Sequence, residues 1–356
     1  MSAGTAPAAG RGPSRLVAGL DLGGTKILGR VLDPDDPTRA IAEVRVDTPK
    51  GADAIIDAMV ELVDALADAL ADELADELAR QVRADPPSGP GSSSGSVRSI
   101  QAVGVGAAGL VDRAGVLSFA PNLPGVIGLD VAGRLTERLG MPVLVDNDAN
   151  TAAVAEHRLG AGDRVRDMVL VTLGTGIGGG LVLGGELQRG AAGFAGEPGH
   201  MVVDPNGPPC PCGRRGCWER YASGSGLGRL ARDAAHAGRA PAIVALAGGD
   251  PDGVRGEHVT RAAADGDVDA IAIMGDFAWW VALGISNLEN LLDPEVVVVG
   301  GGLAEAGELL LAPTRAAYAT LVLGFEHRPP VRIVGAALGP DAGAIGAGLL
   351  ALDHLT

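Results

Sequence analysis

Residues 16–32 (LVAGLDLGGTKILGRVL) and 169–187 (VLVTLGTGIGGGLVLGGEL) follow one plan: an apolar strand, a Gly-Thr turn and a second apolar strand. A duplicated half-domain arranged around a cleft produces such a repeat. Elsewhere apolar strand-like runs alternate with helix-like periods, which points to an α/β architecture. At roughly 100–200 residues per domain, a chain of 356 residues suggests two domains or one bilobed unit.

The coarse order of elements supports this. Strands are expected at 16–22 and 27–32, separated by Gly23-Gly24. From Ala52 onward Ile55, Met59, Leu62, Leu66, Leu70, Leu74 and Leu78 recur every three or four residues, with Glu61, Asp64, Asp68, Asp72 and Asp76 between them. That spacing predicts an amphipathic helix whose acidic face is solvated surface. The run at 85–96 (DPPSGPGSSSGS) reads as a flexible surface insertion, bounded at about 84–98. Strands follow at 100–106 and 142–145, with a helix ending near Leu139 between them. A helix over 149–159 precedes a strand pair at 168–173 and 180–183. Near the end come a helix over 277–292, a strand at 296–299 and a helix opened by Gly300-Gly301-Gly302. We therefore expect a disordered arm (1–15), an N-terminal lobe (16–146) and a C-terminal lobe (147–356) whose last helix packs back on the first lobe.

With 28 basic against 44 acidic residues the formal charge is −16, so neither nucleic acid nor an anionic membrane is an expected partner. No run of about 18 apolar residues is free of polar breaks, so no membrane span is expected. The first 15 residues lack the apolar core of an export signal. The three cysteines, Cys210, Cys212 and Cys217, are clustered in one short stretch. An odd, clustered set without an export signal indicates metal or redox chemistry in the cytoplasm.

Four motifs carry chemistry. In Asp21-Leu22-Gly23-Gly24-Thr25-Lys26 the glycines admit backbone N–H groups to an oxyanion, while Thr25 and Lys26 add a donor and a charge. The order Gly-Thr-Lys differs from a Walker loop. Asp21 could serve Mg²⁺ through water or hold the turn. The second motif, Gly174-Thr175-Gly176-Ile177-Gly178-Gly179, runs into an apolar strand rather than a helix, so a hairpin phosphate clamp fits better than a dinucleotide fingerprint. The third, Asp146-Asn147-Asp148-Ala149-Asn150, lies between a strand and a helix, where a carboxylate can face the cleft. Asp148 could equally be a helix N-cap, and Asp146 that cap or surface. In the fourth, His200 precedes Cys210-Pro211-Cys212 and Cys217, the donor set of a closed tetrahedral structural zinc site, with the loop at 200–217 held by the ion. Glu197 and Glu219 flank it, and a metal-fixed loop would aim both.

In this order the motifs resemble the ROK family of bacterial sugar kinases and sugar-responsive repressors, from Leu16 to about Leu350. Cys217-Trp218-Glu219-Arg220-Tyr221-Ala222-Ser223-Gly224 resembles its actinobacterial ATP-dependent glucokinase group. The resemblance implies an actin-like ATPase (ribonuclease H-like) fold and ATP-dependent phosphorylation of the glucose 6-hydroxyl. It implies Asp148 as general base, with Asn122, Asn147, Glu197, His200 and Glu219 on sugar hydroxyls. The turns with Asp21, Gly23, Gly24, Thr25, Lys26, Gly174, Thr175 and Gly176 would hold ATP phosphates bridged by Mg²⁺, Gly301 and Gly302 would approach the adenosine, and Zn²⁺ would be structural. It further implies a homodimer or homotetramer. Three competing readings are a family kinase for N-acetylmannosamine, N-acetylglucosamine or fructose, a sugar-sensing repressor, and a nicotinamide oxidoreductase using one of the glycine runs.

Overall fold

The computed structural model describes residues 15–84 and 99–356. The expected arm up to residue 14 and the expected insertion at 85–98 lie outside the described residues. The chain begins with three antiparallel strands, β1 (Leu16–Leu22), β2 (Lys26–Asp33) and β3 (Asp36–Asp47), followed by helix α1 (Ala52–Ala84). Then come β4 (Ile100–Ala107), the short strands β5 (Leu110–Val111), β6 (Val116–Phe119) and β7 (Leu129–Asp130), α2 (Val131–Leu139), β8 (Val143–Asn147) and α3 (Asp148–Leu159). The second half opens with β9 (Met168–Leu173), β10 (Ile177–Leu183) and β11 (Glu186–Leu187). A long loop leads to the helices α4 (Glu219–Ala222), α5 (Gly224–His236), α6 (Pro241–Leu246), α7 (Gly256–Ala264) and α8 (Val268–Leu292). The chain closes with β12 (Val296–Gly300), α9 (Glu308–Leu321), β13 (Arg332–Gly335) and α10 (Ala342–His354).

Among the described residues the main strands form two five-stranded sheets, ordered β3-β2-β1-β4-β8 and β11-β10-β9-β12-β13. The two orders are the same pattern. In each, three consecutive strands form an antiparallel meander, and on its other side the first of them pairs parallel with a later strand that in turn pairs parallel with another. The repeat seen in the sequence is thus a duplicated sheet, the arrangement of an actin-like ATPase fold. β1, β4 and β8 run parallel, and their register sets Asp21, Gly106 and Asp146 in one row near their C-terminal ends.

Helix α1 buries the apolar positions read from its period: Ile55, Met59, Leu62, Leu66 and Leu70 pack into the core of the first sheet. The last helix, α10, lies in backbone contact with β1, β4 and α3. A Cβ on Gly346 would stand 1.7 Å from Thr151 O, one on Gly104 1.8 Å from Ala347 O, and one on Gly19 1.9 Å from Ala344 O. Only glycine permits approaches this close. By length and composition α8 is apolar enough to cross a membrane, although Asp269 and Asp276 break its apolar run. Its Phe277, Val281 and Ile285 are instead fully buried in the core of the second lobe.

Several elements depart from expectation. β10 begins at Ile177 rather than 180, because Gly178 lies against Ala149 of α3 and is a strand residue without a side chain, not a turn residue. Gly300-Gly301-Gly302 lead into a 3-10 turn, Gly302–Ala306, before α9 starts at Glu308. The polar strand β3, the short strands β5–β7 and helices α4–α7 had no expectation attached to them.

Candidate active site

The site is built where the parallel strands of both sheets end. β8 delivers Asp146 and Asn147, and α3 starts at Asp148. Asn147 caps α3: its Oδ1 accepts the N–H groups of Ala149 (2.9 Å) and Asn150 (3.1 Å). Its Nδ2 donates to Gly109 O (3.0 Å), fastening the cap to the loop after β4. The N-cap role open to Asp148 and Asp146 in the sequence thus belongs to Asn147. Asp146 is no surface residue either; it is buried and paired with Arg189.

Burial drives the Asp148 carboxyl above its ordinary value, against the pull of hydrogen bonds from backbone N–H groups and Asn147. Burial, and then repulsion by Asp148, pushes Asp21 up to about 7. Glu197 is likewise pushed up to about 7, first by burial and then by Asp148 and Glu219. Four acids from separate parts of the chain therefore share one electrostatic neighbourhood. Such a pocket suits a polyhydroxylated ligand beside a cation.

Glu197 precedes a short 3-10 turn, Pro198–His200, pressed onto β10. A side chain on Gly179 would collide with Pro198, and one on Gly199 with Ile177 O. Beyond it the ligand atoms of His200, Cys210, Cys212 and Cys217 all lie within 4.8 Å of one another. Cys212 Sγ is 3.5 Å from Cys217 Sγ, and Cys210 Sγ 3.9 Å from His200 Nδ1. A tetrahedron with Zn–S bonds of about 2.3 Å has edges of roughly 3.8 Å, so the donor set fits zinc. Burial and the neighbouring Glu219 carboxylate push the Cys210 thiol far up. Glu219 Oε1 accepts from Cys210 Sγ (2.9 Å) and lies 3.8 Å from His200 Nδ1. The loop is anchored by Trp218, fully buried against Gly284 of α8 with its Nε1 donating to Trp280 O (2.7 Å).

The two glycine turns approach this floor from either lobe. In the first, Gly23 N–H donates to Lys26 O (3.0 Å), and Thr48 binds Thr25 O through its N–H (2.9 Å) and Gly23 O through its hydroxyl (2.8 Å). Gly24, Thr25 and Lys26 remain exposed, and a Cβ on Gly24 would sit 2.9 Å from Asn122 O, so the first turn and Asn122 adjoin. In the second, Gly174 O accepts from Gly224 N–H (2.8 Å) and Thr175 O from the Ser225 hydroxyl (2.9 Å). A Cβ on Gly176 would stand 2.8 Å from Glu219 Oε2. Gly174, Thr175 and Gly302 line one cavity of ≈ 870 Å³ together with Arg232, Arg255 and Leu303. Gly301 does not line it; at φ 79° it packs on Leu173 O and sets the course of the chain toward Gly302. Sequence reasoning missed Arg189, Thr48, Ser225 and the cavity arginines. None sits in a patterned motif, so no local signal marked them.

The ROK family model matches residues 92–354. A glucokinase of Streptomyces coelicolor is 38% identical over 341 residues, 95% of this chain and 98% of that one. The crystal structure of a ROK family glucokinase from Streptomyces griseus in complex with glucose and AMPPNP superposes with a TM-score of 0.78 at 37% identity, covering 95% of this chain and 99% of that one. An N-acetylmannosamine kinase of Citrobacter koseri is 37% identical over 246 residues, 67% of this chain and 79% of that one.

Proposed function

Because the chain belongs to the ROK family, we propose that it phosphorylates D-glucose at the 6-hydroxyl with ATP, giving glucose 6-phosphate and ADP. The observation that carries this reading is the raised, half-buried Asp148 carboxyl in the field of Glu197 and of Asp21, which lies beside the first glycine turn. In this reading Asp148 takes the proton of the 6-hydroxyl as the oxygen attacks the γ-phosphorus. Asn122, Asn147, Glu197, His200 and Glu219 hold the remaining hydroxyls, His200 through Nε2 since Nδ1 faces the thiols. ATP lies in the ≈ 870 Å³ cavity with its phosphates between the turns Gly23–Lys26 and Gly174–Gly176. Phosphoryl transfer is mainly positioning and charge neutralisation, and Mg²⁺, when bound beside Asp21, supplies the neutralising charge. Zn²⁺ on His200, Cys210, Cys212 and Cys217 is structural, because four protein donors leave no open position.

The second reading keeps the chemistry and changes the sugar to N-acetylmannosamine, N-acetylglucosamine or fructose. Of these three sugars the first is favoured by the 37% identity to an N-acetylmannosamine kinase. We further place the enzyme in the cytoplasm, where three thiols stay reduced for a metal, as a homodimer or homotetramer. The apolar residues Val268, Ile271 and Trp279 exposed on α8 support assembly. Coupled ADP release with Mg-ATP against glucose, mannose, fructose, N-acetylglucosamine and N-acetylmannosamine tests the reading. Glucose is expected to give the highest kcat/KM. Turnover confined to an acetylated sugar would shift the substrate, and turnover of none would end the kinase reading.

The raised Asp21 has a measurable consequence. Its folded-state pKa of about 7 exceeds the ordinary 3.8, so the ligand-free protein loses stability as pH rises through that interval. Asp21→Asn is therefore expected to stabilise the ligand-free protein at pH 8, by up to roughly 4 kcal/mol, with no gain below about pH 4. The same variant should lose the added thermal stability that Mg-ATP confers on wild type. Equal melting temperatures of the two proteins at pH 8 would refute the account.

A further inference from the structure

We infer that Asp146 and Arg189 are positioning residues, an ion pair that ties the segment leading to Glu197 and His200 to the end of β8, from which α3 and the catalytic carboxylate Asp148 start. The inference rests on reading Asp148 as the base. Asp146 is the penultimate residue of β8, and its side chain is 7% exposed. Its Oδ2 meets Arg189 Nε at 2.5 Å, while its Oδ1 accepts both the Asn147 N–H and Asn150 Nδ2 at 2.8 Å. Among the described residues, every hydrogen bond and ion pair of this carboxylate either holds the first turn of α3, where Asp148 sits, or reaches Arg189.

Arg189 stands two residues beyond β11, at the head of the segment that runs to Glu197 and His200. The same segment is gripped from the first lobe. Arg113, in the turn between β5 and β6, donates from Nε to Gly190 O (2.9 Å) and Ala191 O (3.1 Å). Gly193, at φ 105°, lies so close to this turn that a Cβ would meet Val111 O at 2.7 Å. A displacement of the segment is thus passed through Arg189 to Asp146, then to Asn147 and Asn150, and so to the base. Contrast the pair Arg158–Asp353, equally well formed but half-exposed at the end of α3 and touching no site residue. A buried carboxylate whose partner is removed is left uncompensated, and its new position carries the cap with it. Misplacement of a reacting group by about 1 Å can cost on the order of 10²-fold in rate.

The test compares Asp146→Asn, Arg189→Gln, Arg189→Lys, the double variant Asp146→Asn/Arg189→Gln and the control Arg158→Gln. The readouts are kcat, glucose KM, glucose binding by tryptophan fluorescence, and zinc content. Each Gln or Asn single variant is expected to lower kcat about 10–100-fold while KM and glucose affinity change less than about threefold. The double variant should be no slower than the slower single, since both break one link. Arg189→Lys should recover part of the loss, and Arg158→Gln should match wild type. A kcat within about twofold of wild type in folded variants, losses that multiply in the double, or equal losses in kcat and affinity would overturn the inference. Should Asp146→Asn fail to fold, the two Arg189 variants decide alone, because that side chain is 33% exposed. If wild type itself phosphorylates no sugar, the kinase reading falls; if wild type works and the variants do too, only the positioning pair falls.

Discussion

Asp148→Asn is expected to lower kcat for glucose phosphorylation by about 10²–10⁴-fold, the usual contribution of a general base, with zinc content and glucose binding retained. The amide keeps the volume of the carboxylate and can still accept the Ala149 N–H that Asp148 Oδ1 accepts at 2.9 Å. It loses only the ability to take a proton. The pH profile supplies a second readout. Because burial raises the Asp148 carboxyl, wild-type kcat/KM should fall with acidification at a pH above the ordinary carboxylate range. The residual activity of the variant should lack that limb. The direction of the stability effect is also fixed: a raised carboxyl costs stability as pH rises past its ordinary value, so the variant should be at least as stable as wild type at neutral pH. A variant with near wild-type kcat would remove Asp148 from the chemistry.

Zinc removal should have the second large effect. Structural zinc supplies about 10–16 kcal/mol of apparent folding free energy in small sites, comparable to the whole stability of an ordinary domain. Incubation with a strong chelator, or Cys217→Ser, should therefore release the ion, unfold the segment around Cys210–Cys217 and abolish phosphorylation. Cys217 is the residue to change because it is fully buried and followed directly by Trp218 and Glu219. Losing it frees the indole packed on α8 and the acid that faces Gly176. The expected result is one zinc per chain by elemental analysis in wild type, none in the variant, and a red shift of tryptophan emission that accompanies lost activity. Full activity in protein carrying no metal would show that the cysteines do other work.

Much of the site was legible because its residues act through local chemistry. A glycine turn after an apolar strand, a His-Cys cluster at ligand spacing and an acid at a strand-to-helix junction each announce themselves over a few positions. The amphipathic period of α1 was equally plain, since one helix face is buried and the other wet. The strand character of Gly178 was not, because glycine has no side chain to show a period and its meaning there lies in its contact with α3, earlier in the chain. Helices α4–α7 went unread for a related reason: they are short, rich in alanine and glycine, and stabilised chiefly by packing into one core.

The sequence by itself determined the duplicated α/β plan and the His-Cys donor set, because each follows from residue type at short spacing. Only the tertiary structure decided that Asn147 rather than Asp148 caps α3. It alone brought Asp21, Asp148, Glu197 and Glu219 into one field, and their shifted protonation is a property of that assembly. It alone turned Asp146 from a surface or capping acid into a buried partner of Arg189. The last two share a physical reason: burial and Coulomb interaction depend on distance in space, and residues far apart in sequence carry no mark of which neighbour folding will give them.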